Sequence, residues 1–173
     1  MTKIINLFGA PGAGKSTLAS GLLYHLKLKG LKVEISSEWI KEKLFEGTGY
    51  PFKDQLYTFA KQHKRIKQLY GKVDYIINDS PIFQSIIYQI DEPPIFTETV
   101  LAYFNQYENM NFFLERTHKY QNSGRHQTEE EAKEVGNNIE KALNDYKVEY
   151  IKIPTNQALE QILKVLESTW EKK

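Results

Sequence analysis

The sequence predicts an α/β fold in which a parallel sheet is covered by helices on both faces. Three observations carry that prediction. Short apolar runs alternate with helical patterns five times along the chain. The first run ends on a glycine-rich turn, and an amphipathic pattern starts directly after it. The composition is that of an ordinary folded chain: 173 residues, 40% hydrophobic and 26% charged. A chain of this length buries a full core, and one domain is expected.

The elements follow in order. KIINLF, residues 3–8, reads as a buried strand ending at Gly9. Leu18, Leu22, Leu23 and Leu26 then recur at helical spacing over 15–29, and Gly30 stops that helix. LKVEI, 31–35, is a second strand; Ser36 and Ser37 suit the cap of a helix starting near Glu38. EGTGYP, 46–51, is a loop by composition. From Phe52 to Tyr70 the pattern is helical, with Leu56, Phe59, Ile66 and Leu69 expected inward and Gly71 as the stop. VDYIIN, 73–78, is a third strand that delivers Asp79 to its carboxyl end. Helices are expected at 81–90 and 97–108, separated by DEPP at 91–94. NFFLE, 111–115, is a fourth strand, followed by a polar, basic segment at 116–127. Thr128 and Glu131 match a capping box for a helix to Tyr146. VEYIKI, 148–153, is a fifth strand, and an amphipathic helix from Thr155 to Trp170 closes the chain.

Composition removes several function classes. With no cysteine there is no disulfide, thiolate metal site or cysteine nucleophile. A net charge of +1 gives no overall electrostatic case for nucleic acid. No apolar run approaches ~18 residues, so no membrane span is expected. The start runs straight into a strand, without a basic segment and cleavage site, so a cytoplasmic location is expected.

The glycine-rich turn, GAPGAGKS at 9–16, satisfies G-x-x-x-x-G-K-[ST]. The chemistry dictates that spacing. Gly9, Gly12 and Gly14, with the small Ala10 and Ala13 between them, let the backbone curl so that successive N–H groups converge on phosphate oxygens. Lys15 reaches the outer phosphates as a point charge, the Ser16 hydroxyl ligates Mg²⁺, and Thr17 continues into a helix whose positive dipole end faces the anion. ATP with Mg²⁺ is the expected cofactor pair. The guanine-reading N-K-x-D, the switch D-x-x-G and a transporter-type LSGGQ are all missing from the sequence, which leaves a small kinase.

A kinase needs three further parts. Asp79 stands where a carboxylate holds Mg²⁺ or its water, or else caps the next helix. Glu38, just past the second strand, stands where a carboxylate steers an acceptor hydroxyl, or else complements a helix dipole. Arg116 and Arg125, with Lys119, His118 and His126, flank a segment that serves either as a lid over transferring phosphate or as a solvated loop.

With these pieces assembled, the chain resembles the P-loop nucleoside and nucleotide kinases, and among them the ATPase-type domain of nicotinamide riboside kinases and of phage kinase-like proteins. The resemblance rests on GAPGAGKST (9–17), SSEW (36–39), DQLYTFAKQHKR (54–65), VDYIINDSP (73–81) and RTHKYQNSGRHQTEEEA (116–132), in order along most of the chain. It implies strand order 2-3-1-4-5 and transfer of the γ-phosphate to a nucleoside-like acceptor. Glu38 then becomes the base, Asp79 a metal carboxylate, and Arg116 and Arg125 the arginines of a basic lid at 116–128. Gln62 would face the acceptor, and Trp39, Tyr50, Phe52 and Tyr57 either offer it stacking faces or serve in core packing. The loop Pro154 to Asn156 would border adenine.

One similar phage branch phosphorylates 5-hydroxymethyluracil within DNA. The run KQHKRIKQ, 61–68, suits such an acceptor but equally suits a solvated helix face. Base phosphorylation in a duplex would need the base flipped out. For a phage-encoded chain the location implied is the host cytoplasm. Oligomeric state stays open, a homodimer included. The competing class is a nucleotide-binding ATPase or sensor acting on a protein partner, which would hydrolyse ATP without phosphorylating a small molecule or DNA. A third reading, a binding module without turnover, is disfavoured by Lys15, Ser16 and Asp79.

Overall fold

The computed structural model describes residues 1–37, 54–120 and 128–170. Five strands form one sheet: β1 (Lys3–Phe8), β2 (Val33–Ser36), β3 (Tyr75–Asn78), β4 (Glu108–Glu115) and β5 (Ile151–Pro154). All neighbours pair in parallel, in the order β2-β3-β1-β4-β5. The helices are α1 (Lys15–Leu28), α2 (Gln55–Leu69), the single turn α3 (Ser85–Tyr88), α4 (Ile95–Asn105), α5 (Glu129–Asp145) and α6 (Ala158–Trp170). The expected fold class and strand order are both found.

Alternation along β1 builds two cores. Ile5 and Leu7 face one way, where Leu22 and Leu26 of α1 and Ile162 and Leu166 of α6 pack on them. Ile4 and Phe8 face the other way, against Phe59 and Ile66 of α2, Val100 and Phe104 of α4, and Ile139 and Leu143 of α5. The connection leaving β1 therefore covers one face, while those leaving its neighbours β3 and β4 cover the other. That divergence opens a crevice at the carboxyl end of β1.

Several boundaries depart from the sequence expectation. Leu56 is 58% exposed, and α2 instead buries Gln55, Thr58, Phe59, Gln62 and Ile66. The helix starts at Gln55 because the Asp54 carboxylate accepts from Tyr57 N at 2.8 Å, while Glu92 Oε1, from the DEPP stretch, accepts from Gln55 N at 2.8 Å. The expected helix at 81–90 is a 3₁₀ turn, Ile82–Gln84, plus one α-turn. Strand β4 begins at Glu108 and β5 at Ile151, three residues from the expected starts. The Thr128–Glu131 capping box is present in both directions, at 2.7 and 3.2 Å. The helix expected near Glu38 lies outside the described residues.

Candidate active site

Most parts of the site come from a strand's carboxyl end, and Gln62 and Arg65 reach it from α2. Gly9 follows β1 directly, with φ 140°, and a Cβ added there would stand 2.8 Å from the Leu114 carbonyl oxygen of β4. Only glycine lets the loop leave the sheet at this point. The loop then turns into α1 with Gly14 as its N-cap; no side chain caps that end, and no acidic residue occupies its first turn. The N–H groups of α1 are thus not claimed by a local carboxylate. Lys15 Nζ lies over the loop and donates to the carbonyls of Gly9 at 2.8 Å and Ala10 at 3.0 Å. Ala13 is buried beneath, and Thr17 is exposed on α1.

Two neighbours brace the loop. Thr155, just past β5, sets its Oγ1 2.7 Å from Glu115 O and 3.1 Å from Ala13 O, the one hydroxyl hydrogen shared between the two carbonyls. His118 Nε2–H donates to Gly12 O at 3.0 Å. The first contact places the stretch after β5 against the phosphate loop. The second places the start of the 116–128 segment over it. Behind the loop, Gly136 of α5 comes so near Ala10 that an added Cβ would stand 3.0 Å from Ala10 Cβ.

Ser16 and Asp79 meet directly. Ser16 Oγ donates to Asp79 Oδ2 at 3.0 Å, and Asp79 Oδ1 is buried with no hydrogen-bond partner among the described residues. A hydroxyl and a carboxylate that are side by side, with a carboxylate oxygen to spare, form a hard-oxygen donor set suited to Mg²⁺ with its retained waters. Asp79 caps neither of the next two helical turns through its side chain.

Arg116 stands one residue past β4, with its guanidinium 4.9 Å from the Tyr120 ring centroid and Nη2 2.5 Å from Glu129 Oε1. Its Nη1 is buried without a partner among the described residues. Gln62 reaches the ends of β2 and β3: Nε2 is 3.4 Å from each of Ser36 Oγ, Ser37 O and Asn78 Oδ1. Tyr57 is 45% exposed, with Lys61 Nζ 5.0 Å from its ring centroid. Glu38, Trp39, Tyr50, Phe52 and Arg125 lie outside the described residues.

The sequence reading missed two features here. Arg65, taken as part of a basic face, donates to Ser37 Oγ at 2.7 Å and Ser37 O at 3.2 Å, pinning the residue before Glu38. Its spacing of three from Gln62 was the available signal. Asn6, Asn78 and Asn111 form a row across three strands, two of them in otherwise apolar strand sequences. Buried asparagine in a strand is depleted enough to have been the clue.

A family model described as AAA domain matches residues 4–161. The chain belongs to that family. No curated protein sequence matches it. This AAA domain chain is similar in structure to deoxyadenosine kinase from M. mycoides, in a form with dCMP and dCDP bound: TM-score 0.54 and 20% identity, covering 95% of this chain and 99% of that one. Forms of the same kinase with dATP and with dCTP each give TM-score 0.53 and the same coverages, at 17% and 20% identity. Family match and shared fold together bear out the expected P-loop nucleoside/nucleotide kinase-like architecture. Among the described residues no helix is long and apolar enough to cross a membrane.

Proposed function

We propose that this AAA domain protein transfers the γ-phosphoryl group of ATP to a nucleoside-like acceptor: a nucleoside, a nucleotide or a modified base in DNA such as 5-hydroxymethyluracil. The observation that carries the reading is the pairing of Ser16 with Asp79 beside a loop spanned by Lys15. Loop amides from Gly9 to Thr17 and the Lys15 ammonium hold the phosphates. Ser16 and Asp79 would hold Mg²⁺, whose contribution is to neutralise charge on the transferring group. Arg116 has a buried donor to spare for that charge. We assign it, with Arg125, to a lid at about 116–128. Glu38 orients the acceptor hydroxyl, and Gln62 and Trp39 meet its ring. The single domain and cytoplasmic location belong to the same proposal. Little covalent chemistry is asked of the protein; positioning and electrostatics supply the rate.

Support for a nucleoside-like acceptor comes from the shared fold with a deoxyadenosine kinase and from Gln62 above the ends of β2 and β3. The family's AAA description favours a second reading, ATP hydrolysis coupled to a protein partner. Steady-state ADP release separates them. The kinase reading expects ADP release stimulated by one member of a panel of nucleosides, nucleotides and hydroxymethylated DNA. Release that no acceptor stimulates supports the second reading. Within the kinase reading, Glu38→Gln lowers kcat far more than ATP affinity; unchanged kcat assigns the base elsewhere.

A further inference from the structure

The first turn of α5 carries three carboxylates, and they do different things. Glu131 closes the capping box, its Oε2 accepting from Thr128 N at 2.7 Å. That box and the buried Ala132 fix the turn in place. Glu130 stands in solvent. Glu129 turns to Arg116, with Oε1 2.5 Å from Nη2. Residues seven apart share a helix face, so Glu129 lies on the side of α5 that carries Gly136, about 10 Å further along. Gly136 is the residue that packs on Ala10 of the phosphate loop. Arg116 leaves the sheet from β4, which pairs with β1 as far as Phe8 and Phe113, one residue before the loop. The pair therefore sits beside the loop. The arms of the guanidinium are treated unequally. Glu129 holds Nη2, and the Tyr120 ring lies 4.9 Å from the central carbon. Nη1 is buried with no partner among the described residues. A guanidinium is a planar fork, so holding one arm and covering one face sets the direction of the other arm. A buried N–H without an acceptor is costly, and a native structure leaves few of them unexplained. The Glu129 side chain is 56% exposed, and a bridge to so exposed a carboxylate adds little stability. Its effect on the direction of Arg116 is the larger one.

We propose that Glu129 is a positioning residue for Arg116: it holds Nη2 so that Nη1 is aimed at the transferring phosphoryl group. This rests on the reading above that Arg116 serves phosphoryl transfer. Charge spreads over the outer oxygens of that group as its bond to ADP loosens, and a donor already fixed in direction meets it without reorganising. Because that charge develops during transfer, Glu129 acts on kcat and leaves ATP binding to the loop. Lysine cannot take the place of this arginine, since an ammonium has no second arm to be held.

The test is a double-mutant cycle on the full chain, read as ADP release at saturating ATP and Mg²⁺ with the acceptor panel present. Both the kinase and the hydrolysis readings release ADP, so the cycle is readable under either. Arg116→Ala lowers kcat by at least about 100-fold. Glu129→Ala lowers kcat by at least about tenfold and keeps ATP KM within about threefold. Glu129→Gln, which retains an oxygen for Nη2, stays within about threefold of the wild type in both. In the Arg116→Ala background, Glu129→Ala changes the residual rate by less than about twofold, followed with γ-labelled ATP in single turnovers. An equal loss in both backgrounds means that Glu129 acts through something other than Arg116, and the inference is overturned. An unchanged or raised kcat in Glu129→Ala alone overturns it as well. So does a loss confined to ATP KM, which is the signature of a shifted loop. If Arg116→Ala leaves kcat unchanged, or the wild type cleaves no ATP with any acceptor, the underlying reading fails instead. Should Glu129→Ala not fold, Glu129→Ser, too short to reach Arg116, takes its place.

Discussion

Lys15 lies within 3.0 Å of two loop carbonyls and is only partly buried, so it contributes charge rather than packing. Lys15→Ala should lower turnover by at least ~100-fold while changing unfolding free energy by about 0.5 kcal/mol or less. Kinetics and thermal unfolding on one preparation check both halves. Asp79 makes a sharper case. Its buried Oδ1 has no partner among the described residues while Oδ2 accepts from Ser16, so Asp79→Asn puts an amide where a second oxygen was. The expected outcome is a much higher Mg²⁺ requirement for turnover, read from a magnesium titration at saturating ATP. An unchanged titration would return Asp79 to a structural role. These positions were legible in the sequence because each is fixed by local spelling: a loop motif, and a carboxylate at the end of an apolar strand. The placement of Gln62 was not legible from local spelling, since it depends on Ser37 and Asn78, 25 and 16 residues away.

At the scale of elements, the contact between α5 and the phosphate loop is close enough to be tested by size. Gly136→Leu would drive a side chain into Ala10, costing about 1–3 kcal/mol and raising ATP KM as the loop shifts. Unchanged stability and KM together would show that α5 does not set the loop. Helices α2 and α4 share an aromatic cluster in which the His63 ring lies 5.9 Å from Phe59 and 4.5 Å from Tyr103, with Nε2 2.8 Å from the Tyr107 hydroxyl. Burial, and then the nearby Lys67 charge, hold His63 below its ordinary pKa. Between that lowered value and the usual ~6.5 the unfolded chain binds the proton that the folded chain refuses. This contribution to stability is therefore present above ~6.5 and declines as pH falls below it. His63→Gln should lessen the fall in Tm between about pH 7 and 5, as measured by calorimetry. An equal fall in both proteins would place the acid sensitivity elsewhere.

Element boundaries were legible where one rule acted alone. Glycine and the capping box set the ends of α1 and the start of α5. They failed where tertiary partners overrode the pattern. Strand β4 begins three residues before the expected Asn111, with the polar Glu108 and Asn109, which the period-2 reading passed over; the Asn109 side chain is satisfied by Asn6 Nδ2 and by the Phe104 carbonyl. Leu56 turns outward because Gln55, Thr58 and Gln62 occupy the inward stripe of α2.

For the whole molecule, the topology gathers the candidate site at one end of the sheet. β1 supplies the phosphate loop, β3 Asp79, β4 Arg116 and β2 the approach to Glu38. All four strands run parallel, so these residues leave the sheet at the same, carboxyl end. The sheet's existence and both helical layers followed from the alternation of elements, and the strand order from resemblance. The most direct measurement follows the γ-phosphate itself. Protein, γ-labelled ATP and Mg²⁺ are incubated with the nucleoside, nucleotide and hydroxymethylated-DNA panel, and the label's destination is read with Lys15→Ala as control. The account predicts label on a hydroxyl of one acceptor in the wild type and none in the variant. Label recovered only as inorganic phosphate, whatever acceptor is present, would contradict it.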